Sequence, residues 1–205
     1  MKKVILLSCC IVLLLAATSA YAADKFALGK GNLALKIDYI NFTDDAFDEV
    51  DLESGVYVGL EGSLALMPNL YLAAEAGWAG TSNDDDITIL GRSRNVDIDV
   101  TYVPVELNLK YAAEFSPSWV FGIGAGVSYN YMNIDVDIDG DGGDEDDWLL
   151  GGQVFADLTY KTGAWFFGIN GKYQITEDME LGDDDLETDT NANNWRVGAQ
   201  IGVMF

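Results

Sequence analysis

Apolar and polar residues alternate with a period of two along most of the chain, in segments of about ten residues. Each segment of this kind predicts a β-strand whose two faces differ in polarity. The chain contains eight such segments: LALKIDY (33–39), VYVGLEGSLAL (56–66), LYLAAEAGWA (70–79), VPVELNLKY (103–111), WVFGIGAGVSYNY (119–131), WLLGGQVFADLTY (148–160), AWFFGINGKYQI (164–175) and WRVGAQIGVMF (195–205).

The connections between these segments alternate in length. Four are long and three are short: residues 40–55, 80–102, 132–147 and 176–194 against residues 68–69, 112–118 and 161–163. In an up-and-down meander all long connections lie at one end of the sheet, the loop end, and all short ones lie at the other, the turn end. The layout predicts an all-β fold, an eight-stranded antiparallel up-and-down transmembrane β-barrel.

The two faces of the predicted strands differ sharply in chemistry. One face is apolar, whereas the other carries charged residues among glycines and small side chains: Lys36, Asp38, Glu61, Glu75, Glu106, Lys110, Asp157, Lys172 and Arg196. If the apolar face contacts lipid, these nine residues form a polar network inside the barrel. If it points inward, the chain is a soluble, lipocalin-like ligand-binding barrel.

Aromatic residues favour the lipid-facing alternative because they gather at the strand ends, as interfacial girdles require. The turn end has Tyr111, Trp119, Tyr160, Trp165 and Phe205, and the loop end has Trp78, Tyr129, Tyr131, Trp148, Tyr173 and Trp195.

One proline interrupts this regular pattern. Pro104 cannot donate a ladder hydrogen bond, and the apolar phase changes there, from positions 96, 98 and 100 to positions 103 and 105. The sequence therefore predicts a bulge or a locally unpaired position at Pro104.

The first 22 residues, MKKVILLSCCIVLLLAATSAYA, predict a cleaved signal peptide. A positive start with Lys2 and Lys3 precedes an apolar stretch, and Ala-Tyr-Ala at 20–22 is a small-x-small cleavage motif. Cleavage after Ala22 leaves residues 23–205 as one barrel domain in an exported protein.

Charge and composition exclude several function classes. Without Lys2 and Lys3 the net charge is −25, which excludes ordinary binding to nucleic-acid phosphates. Both cysteines lie in the signal peptide and the chain has no histidine, so Ser-His-Asp hydrolysis and Cys/His zinc sites are excluded. We therefore expect no catalytic residues and no resident cofactor.

The acidic stretch DVDIDGDGGDED at 135–146 allows two interpretations. Asp135, Asp137, Asp139 and Asp146 match positions 1, 3, 5 and 12 of a calcium-loop template, although no helices flank them. Asp97 and Asp99 hold the matching outward phase on the neighbouring strand. The stretch is either a solvated acidic loop or a site for Ca²⁺ or Mg²⁺ at the extracellular rim.

Three segments carry a resemblance to a known family: GIGAGVSYNY, YVPVELNLKY and the terminal WRVGAQIGVMF. On these the chain resembles the small eight-stranded outer-membrane barrels, such as the membrane domain of OmpA and OmpX. The resemblance implies that Ile201, Val203 and Phe205 form the signal read by the barrel-assembly machinery.

The favoured function is a monomeric bacterial outer-membrane barrel with a plugged polar interior, acidic extracellular loops and a structural or surface-interaction role. Its expected partners are outer-membrane lipid, lipopolysaccharide and, during biogenesis, the assembly machinery; the extracellular partner stays open. The alternatives are a narrow channel for small or apolar solutes and the soluble ligand-binding barrel.

Overall fold

The computed structural model describes residues 26–44, 47, 52–89, 92–138, 141–181 and 188–205. No helix in these ranges is long and apolar enough to cross a membrane. The strands are β1 (Gly31–Phe42), β2 (Ser54–Met67), β3 (Leu70–Ile89), β4 (Arg92–Ser116), β5 (Trp119–Ile138), β6 (Asp141–Thr162), β7 (Trp165–Thr176), β8 (Asp178–Leu181), β9 (Thr188–Asn191) and β10 (Asn194–Met204).

Eight of these strands form one closed antiparallel barrel. Each of β1 to β7 pairs with its neighbour in the chain, and β10 pairs with both β7 and β1 to close the sheet. Lys36 lies opposite Gln200 at this closure. The short strands β8 and β9 form a separate hairpin between β7 and β10. The predicted eight-stranded up-and-down barrel is confirmed.

In the closed barrel, the apolar residues of each strand point outward and the polar residues that alternate with them point inward. In β1, Ile37 is 56% exposed on the exterior, whereas its neighbours Lys36 and Asp38 are 4% and 3% exposed in the interior. The exterior is apolar and the interior polar, which is the arrangement of a barrel in lipid. The soluble alternative, with an apolar interior along these strands, is wrong.

Aromatic pairs mark both ends of the apolar band. Trp119 contacts Tyr160 edge-on at the turn end, with ring centroids 5.2 Å apart, and Tyr129 stacks on Trp148 at the loop end, at 4.6 Å. Trp119 and Tyr129 are ten positions apart in β5, about 33 Å along the strand. At a strand tilt of about 40° this gives a band about 25 Å tall, the height expected for an outer-membrane barrel.

Two predicted long connections are instead strands, and this part of the sequence interpretation was wrong. β3 continues to Ile89 and β4 starts at Arg92, while β5 continues to Ile138 and β6 starts at Asp141. We call the segments 80–102 and 132–147 the extension, because their described residues continue the sheet past the loop-end girdle. Aspartates alternate there with valine and isoleucine, so the period of two that indicates strands is present. The acidic composition, which is typical of loops, led to the wrong prediction.

Pro104 does not cause a bulge. It pairs with Asn130 of β5 in an uninterrupted register, and the β3–β4 register is the same before and after it. The ladder to β3 lacks pairs at positions 103 and 104, as expected for a residue without an N–H. The apolar phase changes because the interior itself becomes apolar there: Val100 and Tyr102 both point inward and are buried.

Candidate functional site

Six of the nine interior charges lie in two rows, one acidic and one basic, on facing walls of the barrel. Three glutamates occupy adjacent strands, with Glu61 directly opposite Glu75 and Glu75 directly opposite Glu106. Three of the four interior bases come from the wall formed by β1, β10 and β7, where Arg196 lies opposite Lys172. Like charges in directly opposite positions destabilise a sheet. The glutamates on one wall and the bases on the other therefore stabilise each other across the lumen.

The two rows join in an alternating chain of six charges, the ion ladder, in the order Glu61, Lys36, Glu75, Lys172, Glu106 and Arg196. Lys36 Nζ lies 2.6 Å from Glu61 Oε2 and 2.7 Å from Glu75 Oε2. Lys172 Nζ lies 2.9 Å from Glu75 Oε2 and also pairs with Glu106, whose Oε1 is 2.5 Å from Arg196 Nη2. Every member is buried, and the ladder has no net charge.

Tyr57 covers the ladder from the loop end. Its hydroxyl donates to Glu75 Oε1 at 2.7 Å, and the Arg196 guanidinium lies 4.5 Å from its ring centroid. The ring has space because Gly59 and Gly77 face each other beneath it: a Cβ on Gly77 would lie 2.3 Å from the ring. Sequence analysis did not identify Tyr57, although its inward phase and the two glycines were visible.

The remaining three predicted interior residues lie outside the ladder. Lys110 and Asp157 form a separate buried pair, with Nζ 2.7 Å from Oδ2. Asp38 accepts a hydrogen bond from the Asn170 amide at 2.9 Å. The structure therefore places all nine predicted residues inside the barrel and joins eight of them in ion pairs.

A neutral polar layer that sequence analysis missed lies between the ladder and the loop end. The Tyr102 hydroxyl donates to Gln174 Oε1 at 2.9 Å, and Gln174 Nε2 donates to Ser128 Oγ at 2.6 Å and Asn130 Oδ1 at 2.9 Å. The same inward phase that identified the charges would have identified these uncharged residues.

An apolar cluster closes the loop end of the lumen, and we call it the loop-end cap. Phe42 stacks on Phe47 and contacts Tyr102 edge-on, with centroid distances of 4.9 and 5.5 Å. The cluster comprises Ile40, Phe42, Phe47, Leu52, Tyr57, Ala79, Val100, Tyr102, Met132, Leu149 and Ala192. The Thr43 N–H donates to the Asn193 carbonyl at 2.8 Å, which ties the β1–β2 connection to the segment before β10.

The segment before β1 closes the turn end. Ala27 and Leu28 are buried against Tyr71, Ala112 and Val120, and we call this cluster the turn-end cap. The Leu28 N–H donates to the Tyr71 hydroxyl at 2.8 Å, and that hydroxyl donates to the Gly29 carbonyl at 3.0 Å. Lys161 Nζ donates to the Ala27 carbonyl at 3.0 Å. No sequence motif indicated this role for residues 26–30.

The candidate cation ligands lie in the extension rather than in one continuous loop. Asp135 belongs to β5 and Asp146 to β6, and both are exposed. Asp99 lies opposite Asp135, which in turn lies opposite Asp144. Asp139 and the side chains of Asp97 and Asp137 lie outside the described residues. Among the described residues, no group of three or more Asp, Glu, His or Cys side chains forms a metal cluster, and the cation site stays a prediction.

The predicted assembly residues lie at the end of β10, with Phe205 directly after its last residue. Ile201 and Phe205 are exposed on the exterior, and Val203 is half-buried opposite Leu33. The Phe205 N–H and carbonyl exchange hydrogen bonds of 2.9 Å with Gly31, so the last residue is joined to the first strand.

Comparisons with known proteins agree with this architecture. A family model described as "Outer membrane protein beta-barrel domain" matches residues 8–154. No curated protein sequence matches the chain. The crystal structure of Neisserial surface protein A (NspA) is 14% identical, with a TM-score of 0.57 over 86% of this chain and 98% of that one. OprG from Pseudomonas aeruginosa is 15% identical, with a TM-score of 0.52 over 88% and 100%.

Proposed function

The chain belongs to the family of outer-membrane protein β-barrel domains, and from this premise we propose that it is a non-catalytic surface protein that binds basic partners through its extension. The barrel anchors the molecule in the bacterial outer membrane, and the extension carries the binding surface.

The observation that carries this proposal is the acidic exterior of the extension. Asp99 and Asp135 are exposed directly opposite one another, and Asp146 is exposed on the next strand. From Tyr129 at the girdle to Ile138, β5 runs nine further positions, about 30 Å of strand. Such a surface attracts partners of opposite charge and accelerates their encounter.

One edge of the extension also offers backbone hydrogen bonds. β2 pairs with β3 only as far as Gly80, so within the described ranges residues 81–89 have a paired strand on the β4 side alone. An unpaired edge is a template for an added strand. Because residues 84–86 are three aspartates, the complementary segment is extended and basic.

The closed lumen supports this function over the channel alternative. The ion ladder lies between the loop-end cap and the turn-end cap, and all three consist of buried side chains. An eight-stranded barrel has an interior only about wide enough for side chains.

The proposal includes the route of the chain to the membrane. Residues 1–22 direct export, and Ile201, Val203 and Phe205 are recognised by the assembly machinery. The barrel then functions as a monomer in contact with lipid and lipopolysaccharide.

A binding measurement on the protein in lipid vesicles tests the surface role. The probe is a fluorescent peptide of alternating lysine and valine, which matches both the charge and the edge. We expect the parent to bind it, with affinity falling as salt rises. Replacing residues 83–98 by Asn-Gly, which joins the paired residues Ser82 and Asp99, should weaken binding at least tenfold.

The matched control replaces residues 179–190, the β8–β9 hairpin, by the same dipeptide. Heat-modifiable migration on a gel verifies that both shortened barrels fold. Equal binding by the two shortened proteins, or no binding by the parent, contradicts the proposed role of the extension.

A further inference from the structure

One interior acid has no basic partner. The nine interior charges comprise five acids and four bases, and all four bases are engaged with the other four acids. Asp38 is 3% exposed, and the only hydrogen bond to its carboxyl group among the described residues comes from the Asn170 amide to Oδ1, at 2.9 Å. An ionised Asp38 would leave an uncompensated buried charge, which is costly.

The Asp38 and Asn170 side chains each have a second buried oxygen atom that accepts no hydrogen bond. These atoms are Asp38 Oδ2 and Asn170 Oδ1, the other ends of the carboxyl and amide groups that already share one hydrogen bond. Buried acceptors are normally satisfied, so two orphans in one carboxyl–amide pair indicate a missing hydrogen-bond donor between them.

A glycine allows these two groups to meet. Asp38 in β1 lies opposite Gly198 in β10, which lies opposite Asn170 in β7. The carboxyl group of Asp38 extends over the middle strand, because a Cβ on Gly198 would lie only 2.3 Å from Asp38 Oδ1. The pair thus spans three strands in direct contact.

We propose that Asp38 is a proton-binding site, held as a neutral carboxylic acid whose Oδ2 hydroxyl donates to Asn170 Oδ1. One proton supplies the donor that both orphan oxygens lack, and it completes a cyclic pair with the bond from Asn170 to Oδ1. With Asp38 neutral, the other four interior carboxylates balance the four bases, and the interior has no net charge.

The charged and titratable neighbours make their hydrogen bonds to other groups. Lys36 in β1 and Lys172 in β7 hold glutamates of the ion ladder. Arg196 in β10 donates through Nη2 to Glu106 and Gln174, and its Nε and Nη1 have no partner among the described residues. Tyr57, opposite Asp38 in β2, donates to Glu75. None of these contacts involves Asp38.

A proton bound only in the folded state makes stability depend on pH. An exposed aspartate in the unfolded chain is ionised at neutral pH, so folding takes up one proton. The folded state therefore loses stability as pH rises, and the folding equilibrium constant falls about tenfold per pH unit while Asp38 stays protonated.

Infrared spectroscopy and paired substitutions test this site. In protein labelled with ¹³C-aspartate, folded in lipid vesicles at neutral pH, we expect the carbonyl band of a protonated carboxylic acid. Asp38→Asn should remove this band and the one-proton pH slope, and its thermal midpoint should stay at or above that of the parent, because an amide preserves both hydrogen bonds. Asp157→Asn, an equally buried acid paired with Lys110, should retain the band and lower the midpoint.

A parallel series in sodium chloride and choline chloride separates a proton from a metal cation. A parent midpoint that depends on sodium, with this dependence lost in Asp38→Asn, would overturn the proton in favour of bound sodium. Absence of the protonated-carboxyl band, or its persistence in Asp38→Asn, would also overturn the proposal.

Discussion

Glu61, Glu75 and Glu106 lie side by side on adjacent strands, an arrangement that isolated sheets avoid. It is tolerated here because Lys36 and Lys172 each reach across the lumen to two of the three carboxylates. Each charge in the ladder therefore depends on its neighbours, and removing one leaves buried charges without partners.

Glu106→Gln should lower the free energy of unfolding by about 3–5 kcal/mol, because Lys172 and Arg196 lose the carboxylate that they share. Urea unfolding in lipid vesicles measures the change. Glu114→Gln is the control, since its pair with Lys161 is partly exposed and contributes less than about 1 kcal/mol. Similar effects from the two substitutions would contradict the ladder's dependence on Glu106.

Gly77→Ala should destabilise the barrel by about 1–3 kcal/mol, because the new Cβ would overlap the Tyr57 ring. At Gly62, which faces the exterior, the nearest atom is Leu33 Cδ1 at 3.8 Å, so Gly62→Ala serves as a neutral control. A double-mutant cycle with Tyr57→Ala measures the clash directly. If the destabilisations by Gly77→Ala and Tyr57→Ala simply add, the Tyr57 ring is not what excludes a side chain at position 77.

Single strands in this protein change their inward chemistry along their length. β4 turns Glu106 and Lys110 inward within the membrane band, and Val100 and Tyr102 inward beyond it. The surrounding medium changes from lipid to water at the girdle. Within lipid the exterior is apolar and the interior polar, whereas beyond the girdle the exterior is polar and the interior apolar. The same alternation of residues serves both parts of the strand.

Calcium should stabilise the extension if its aspartates bind the ion together. Millimolar calcium should raise the thermal midpoint of the detergent-solubilised parent, and chelator should reverse the rise, because a cation relieves the repulsion between carboxylates such as Asp99 and Asp135. The variant with aspartates 135, 137 and 139 changed to asparagine should respond less. An equal response in both proteins means that these residues are only solvated.

The whole barrel is closed at three levels. Residues 26–30 close the turn end, the ion ladder crosses the middle, and Phe42, Phe47 and Leu52 lie over the loop end. Each level joins strands that are distant in the chain, so the caps and the ladder also stabilise the barrel against opening. A barrel whose lumen is closed can therefore still bind a partner through the extension.

Planar-bilayer recordings on the purified protein should show no stable channel of porin size, because side chains fill the interior. Insertion is verified in the same preparation by heat-modifiable migration. A steady, large conductance would instead support the channel alternative and would require the ladder to move aside.

The period-two pattern by itself determined the eight barrel strands, the interior charges and the girdles. Alternation is a local property that survives in any closed sheet, and the boundary between lipid and polar interior imposes it on every strand. The same pattern identified Lys36 and Glu75 as interior residues without indicating that they touch.

Only the tertiary structure decided the partners, the caps and the extension. Lys172 meets Glu75 across 97 sequence positions, and Leu28 meets Tyr71 across 43, so neither contact leaves a local signal. The acidic stretches resemble loops in composition, and their strands form only because neighbouring strands supply hydrogen bonds. Barrel closure brings residues together by strand register, which is a property of the whole sheet and of no single segment.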